Sequence, residues 1–249
     1  MDLSGSIIKR FPVKGLITHS AFSPDGRFLI YSDMTYGLFM GNIETGELKK
    51  LELKINGFPF HPAWSYDGSQ LAFASGIPDE YGYTYIVNTD TLSSPISLPH
   101  AENTDFEEPE SWRENGDLLL SVNGDIHNPY PVGKVYFSEL VIVNTNSGER
   151  KTIYTSASYS LHGQWSPDGQ WIVVTEGNPW ITFLLDWKNN TKKALEKIPS
   201  NSRNPVWSPN GKCIAFLDPS NYIKVYILEA DEIRDLSTIG GYRALAWGK

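Results

Sequence analysis

One short phrase recurs along this chain and constrains its fold more than any other feature. It reads Phe22-Ser23-Pro24-Asp25-Gly26, Trp64-Ser65-Tyr66-Asp67-Gly68, Trp165-Ser166-Pro167-Asp168-Gly169 and Trp207-Ser208-Pro209-Asn210-Gly211. A weaker copy is Trp112-Arg113-Glu114-Asn115-Gly116, and Trp247 is a bare sixth anchor. Successive anchors stand 42, 48, 53, 42 and 40 residues apart. A period of about 40–50 residues with strand-like content is the signature of propeller blades. The 249 residues then form one closed domain, an all-β propeller spanning 1–249.

The repeat from Gly163 to Leu195 shows the grammar of one blade. Gly163-Gln164-Trp165 enters a Ser-Pro-Asp-Gly turn, in which Pro presets φ and Gly accepts a positive φ. Trp171 to Val174 is β-branched and apolar, a buried second strand. Ile181 to Leu185 is a third strand, and Asn189-Asn190-Thr191 turns it into a fourth, Lys192 to Leu195. The other repeats follow the same order, and four strands per repeat closed radially remove long free edges. Lys49-Lys50 and Lys192-Lys193 suit solvated edge strands.

Trp-Ser-Pro-Asp-Gly, then a short β-branched strand, then a strand ending in Asp or Asn before a Thr-Gly turn, resembles the TolB-like propeller repeat across essentially the whole chain. The repeat is also similar to that of oligogalacturonate lyases. The resemblance implies four-stranded antiparallel blades and a face that presents itself to a protein or peptide. It carries no activity, because its residues are turn and packing residues. Five repeats are complete. Ile7 to Phe11 and Tyr242 to Trp247 read as the outer and inner strands of an incomplete sixth blade, so a six-bladed design is favoured over a five-bladed one. In that design about 20–25 further residues would complete the last blade.

Composition excludes several classes of function. The net charge of −8, without a basic run, argues against nucleic acid. No apolar run approaches the ~18 residues of a membrane span, and the amino terminus lacks the regions of a signal peptide. Membrane insertion is not expected. A cytoplasmic location is favoured, with a periplasmic one open if a leader was trimmed. The single cysteine, Cys213, forms no internal disulfide and reads as a buried packing thiol. Nucleophile elbows, zinc-protease motifs and phosphate loops are absent, so no catalytic residue is assigned.

The candidate site comes from register. The four-strand path puts the Ser-Pro-Asp-Gly and Thr-Gly turns on one face. The opposite face carries long, aromatic loops, where binding residues usually sit on a rigid scaffold. Tyr36, Tyr81, Tyr83, His127, Tyr130, Trp180 and Tyr222 are the interface candidates there. Three positions before the anchor stand His19, His61 and His162, with Asn204 in the fifth repeat. One extra residue in the third repeat brings Glu108 to the same place. Equivalent positions in a propeller ring the channel mouth, so these five residues form a candidate ligand site.

Three readings of that ring stay open: a divalent metal held by His19, His61 and His162, a polar ligand site, or a structural ring whose side chains cap backbone groups. No other cofactor is expected. The leading function is a non-enzymatic module with a protein or peptide partner. The alternative is a metal-dependent polysaccharide lyase of the oligogalacturonate type acting on an acidic sugar, or a small-ligand-binding propeller that uses the channel-mouth histidines. The acidic stretch Asp105 to Glu110 reads as a solvated loop.

Overall fold

A computed structural model describes residues 16–247 except 36, 77–81, 101–103, 105, 127–134, 159, 239 and 243–244. Among the described residues it is a β-propeller of five four-stranded antiparallel blades. Blade 1 comprises β1 (Ile17–Phe22), β2 (Phe28–Asp33), β3 (Leu38–Asn42) and β4 (Leu48–Lys50). Blade 2 comprises β5 (Phe58–Trp64), β6 (Gln70–Gly76), β7 (Tyr83–Asn88) and β8 (Ile96–Ser97). Blade 3 comprises β9 (Phe106–Trp112), β10 (Asp117–Ile126), β11 (Val135–Asn144) and β12 (Arg150–Ser156). Blade 4 comprises β13 (Leu161–Trp165), β14 (Trp171–Glu176), β15 (Ile181–Asp186) and β16 (Thr191–Ala194). Blade 5 comprises β17 (Arg203–Trp207), β18 (Cys213–Leu217), β19 (Ile223–Ile227) and β20 (Glu232–Asp235).

The expectation of six blades is corrected: the described residues form five. Of the two strands assigned to a sixth, Ile7 to Phe11 lies outside the described residues. The described part of Tyr242 to Trp247 is not a strand. Inner strands β1, β5, β9, β13 and β17 pack in sequence, but β17 and β1 share no comparable contact among the described residues. Leu245 and Trp247 lie instead against Val206, Ala215 and Val225 on the face of blade 5 turned away from blade 4. The segment covers apolar surface that the other blades cover with a neighbour.

The core sits between blades. Ile30 and Leu38 of blade 1 meet Leu71 and Phe73 of blade 2. Ala72 and Ile86 of blade 2 meet Leu118, Leu120 and Val141 of blade 3. Leu119 and Leu140 of blade 3 meet Ile172 and Leu185 of blade 4, and Val173 and Leu184 of blade 4 meet Ile214 and Phe216 of blade 5. Both faces of each middle strand are therefore buried, which explains their continuous apolar runs. Each fully buried aliphatic or Phe side chain stabilises the fold by about 1.5–3 kcal/mol.

The repeated phrase has two jobs. Its serine turns inward, so Ser23, Ser65, Ser166 and Ser208 are buried. Each serine hydroxyl accepts from the backbone N–H five residues on, at 2.9 Å in all four turns. It donates to the Asp or Asn two residues on. The anchor tryptophan ties blades together. Trp112 Nε1 donates to the carbonyl of Ala63 at 3.1 Å, and Trp207 Nε1 to that of Gln164 at 3.2 Å. In each case the acceptor immediately precedes the anchor of the previous blade. The weaker copy is built differently: Arg113 pairs with Asp117, and its guanidinium sits 4.9 and 4.8 Å from the rings of Trp165 and Trp187.

Lys49-Lys50 and Lys192-Lys193 do lie on outermost strands, β4 and β16, and are exposed. Cys213 is half-buried rather than buried.

Candidate functional site at the channel mouth

Every inner strand begins at the long-loop end, and its first residues border the central channel. In four of the five blades that strand is irregular there. The pairing shifts between Ile17 and His19, between Phe60 and Ala63, between Pro109 and Ser111, and between Arg203 and Val206. A bulge re-aims the side chain it carries and often lies beside a binding site. His61 and Asn204 sit at two of these bulges in the left-handed region, with φ of 49° and 52°. Glu110 is the extra residue at the third. β13 runs regularly and pairs His162 with Thr175.

The result is a cluster. The ring centroids of His19 and His61 lie 3.3 Å apart, and those of His61 and His162 5.9 Å apart. His61 Nδ1 is 3.7 Å from a Glu108 carboxylate oxygen. His162 Nδ1 is 2.9 Å from Glu110 Oε1. A cavity of 330 Å³ opens over them, bordered by His19, His61, Glu110, His162, Trp180, Arg203 and Asn204 among others. Of the five expected ligand residues, His19, His61, Glu108 and His162 come together, and Asn204 lines the same cavity.

The acidic stretch is not the solvated loop its composition suggested: Phe106–Trp112 is an inner strand. Glu107 is buried against Arg150, while Glu108 and Glu110 join the histidines. Glu110 was missed by the sequence reading. The signal for it was the spacing of two from Glu108, which puts both on one face of a strand.

Electrostatically the cluster is divided. Burial, reinforced by repulsion from His162, holds His61 well below the ordinary histidine value. Burial also lowers His19, with repulsion from His61 and His162 adding to it. Burial raises Glu108 and Glu110, against the pull of His162. For His162 burial acts downward, but the Glu110 and Glu108 carboxylates outweigh it and hold the imidazole at about 9. Its side chain keeps 41% of its surface open, and it borders the cavity. At neutral pH the cluster thus holds neutral His19 and His61 beside a protonated His162. His19 Nδ1 is buried without a hydrogen-bond partner.

The interface candidates divide as well. Tyr36, Tyr81, His127 and Tyr130 lie outside the described residues. Tyr83 packs edge-on to exposed His100, centroids 4.7 Å apart. Trp180 borders the cavity under the Arg203 guanidinium, 5.8 Å from its ring, and Tyr222 is exposed. Other large apolar side chains are exposed at the same end: Leu16, Met34, Phe58 and Ile181. Each begins or ends a strand where the long loops join.

No protein-family model matches the sequence. Solved structures with a similar fold include a putative TolB from Agrobacterium tumefaciens, at TM-score 0.75 and 13% identity over 94% of this chain and 87% of that one. A nidogen/laminin complex contributes a second, at TM-score 0.69 and 12% identity over 89% of this chain and 79% of the other. A third is an oligogalacturonate lyase in complex with manganese, at TM-score 0.61 and 15% identity over 90% of this chain and 65% of the lyase. At such identities the likeness is one of fold. Repeat, turn chemistry and blade topology agree with it: the chain has a β-propeller fold similar to that of TolB.

Proposed function

We propose that this propeller is a binding module whose long-loop end receives a protein or peptide partner. The observation that carries the reading is the clustering of exposed apolar side chains. Of the seven large hydrophobic residues exposed among the described ones, Leu16, Met34, Phe58, Ile181 and Tyr222 stand at that end. Aromatic and Met side chains around a polar depression suit an interface with a buried anchor. The nidogen/laminin complex is a precedent for a propeller of similar fold in a protein assembly. A photo-crosslinking residue at Tyr222 or Phe58 should capture the partner from native extract, and one at Asn210 should not. Capture through Asn210 alone would place the interface on the turn face and reject the reading.

A second reading has a specific observation behind it. The His and Glu cluster under an open cavity suits a metal-assisted site for an acidic saccharide, as in the manganese-bound lyase of similar fold. Arg203 is the only Lys or Arg among the described residues bordering that cavity, and it would contact the sugar carboxylate. Incubation with oligogalacturonate and manganese, followed by ultraviolet absorbance of an unsaturated product, tests it. An unchanged spectrum at high protein concentration removes the lyase.

A further inference from the structure

We propose that the channel mouth binds one divalent transition-metal ion through His61, Glu108 and Glu110, with His162 as the residue that positions Glu110. This deepens the second reading, of which a cation at the cluster is one part, and it replaces the three-histidine set expected from the repeat. The ion does not depend on any saccharide being the ligand.

Convergence is the first argument. One ligand atom from each of the three residues can be chosen so that all lie within 4.8 Å of one another. Ligands at about 2.0–2.2 Å from a shared ion stand at most about 4.4 Å apart, so side-chain adjustments of roughly half an ångström would close the shell. One imidazole nitrogen with two carboxylate oxygens suits manganese, iron(II) or zinc. Calcium and magnesium, which favour all-oxygen shells, fit less well.

Charge is the second. Glu108 and Glu110 keep only 17% and 11% of their side-chain surface exposed. Among the described residues no Lys or Arg pairs with either carboxylate; imidazoles face both, and Glu110 also accepts from the Gly163 N–H. Arg203, on the same cavity, spends its guanidinium on Asn221 and the face of Trp180. Two sunken carboxylates side by side, with no guanidinium or ammonium paired to them among the described residues, leave negative charge that a divalent ion would balance.

Support around the ligands is the third. His162 holds Glu110 from behind at 2.9 Å, the arrangement by which an outer partner orients a ligating carboxylate. His61 and Glu110 project from bulges on inner strands of the rigid ring, not from loops. Beside them His19 offers a buried Nδ1 with no partner. The cavity leaves the outer side of the ion open to water or a ligand group, as an exchangeable metal position needs.

The test uses the full chain, stripped with chelator, loaded with manganese or zinc, desalted and analysed for metal. One ion per chain is expected. His61→Ala, Glu108→Gln and Glu110→Gln should each weaken binding by about 100-fold or more, and His162→Ala by about 10–100-fold. His19→Ala should retain the ion. The Glu→Gln changes conserve shape, and circular dichroism with melting of the stripped variants confirms that each is folded. Absence of bound metal in folded wild-type chain overturns the proposal. So does binding that survives Glu108→Gln and Glu110→Gln together, or that disappears with His19→Ala alone. None of these outcomes involves saccharide turnover or partner capture, so the two functional readings stand or fall separately.

Discussion

Glu110 reaches across from β9 to β13 and sets its carboxylate 2.9 Å from Nδ1 of His162. The two lie 52 positions apart in the chain, and only the packing of blade 3 against blade 4 brings them together. Burial alone would discharge the imidazole, and the carboxylates reverse that.

Glu110→Gln should therefore drop the His162 pKa from about 9 toward the ordinary 6.5. The sign follows from linkage. A histidine pKa raised in the folded chain stabilises it fully below 6.5, and the gain is lost as pH rises through about 9. In metal-stripped wild type the melting temperature should fall across that window on account of this pair. In Glu110→Gln the decline should flatten, and NMR titration of the ring should report the lowered pKa directly.

The turn aspartates predict the acid limb. The Ser23 hydroxyl, then the backbone and side chain of Arg27, hold Asp25 down at about 2 against an ordinary 3.8. Asp67 is lowered in the same way, with the Ser65 hydroxyl the largest cause. Depressed carboxylates stabilise the fold above 3.8 and cease to do so as pH falls toward about 2. Asn210 already shows the neutral alternative, accepting from the Ser208 hydroxyl and the Lys212 N–H at 2.8 and 3.0 Å. An Asp25→Asn, Asp67→Asn double variant should melt below wild type at neutral pH and converge with it as pH falls toward about 2. Its melting temperature should fall less steeply below pH 3.8.

Gly163 stands next to His162 where blade 4 packs against blade 3. A Cβ there would lie 3.0 Å from Ile172, 3.1 Å from Leu119 and 3.3 Å from Leu140, all fully buried. Gly163→Ala should cost about 1–3 kcal/mol by overpacking, read from denaturant unfolding. A cost near zero would mean the inter-blade seam yields more readily than its packing indicates.

The anchor tryptophans separate packing from hydrogen bonding. Trp112 Nε1 donates across the blade interface to Ala63, whereas the buried Nε1 of Trp64 finds no partner. Trp112→Phe should therefore destabilise by about 1 kcal/mol more than the lost area explains, and Trp64→Phe should lack that excess. Side-by-side urea unfolding of the two variants measures the difference.

Blade boundaries were legible because they are written locally. The Ser-Pro-Asp-Gly turn encloses its own hydrogen bonds, and the β-branched runs after it state that both faces are buried. The strands read from Gly163 to Leu195 match β13 to β16 closely for that reason. His19, His61 and His162 were legible as a ring because equal register in a radial repeat means equal distance from the axis. Glu110 was not: a composition of four acidic residues in six positions reads as solvent-facing.

By itself the sequence determined the repeat, the four-strand blade and the end of the propeller at which to look, all of which follow from turn chemistry and alternation within about 45 residues. Tertiary structure alone decided that the described residues form five blades, that Leu245 and Trp247 cover the face of blade 5 turned away from blade 4, and that two glutamates join the histidines in one cluster. These outcomes depend on which surfaces meet across the ring. Such contacts join residues many tens of positions apart, and no local pattern of polarity encodes the angle at which one blade settles against the next.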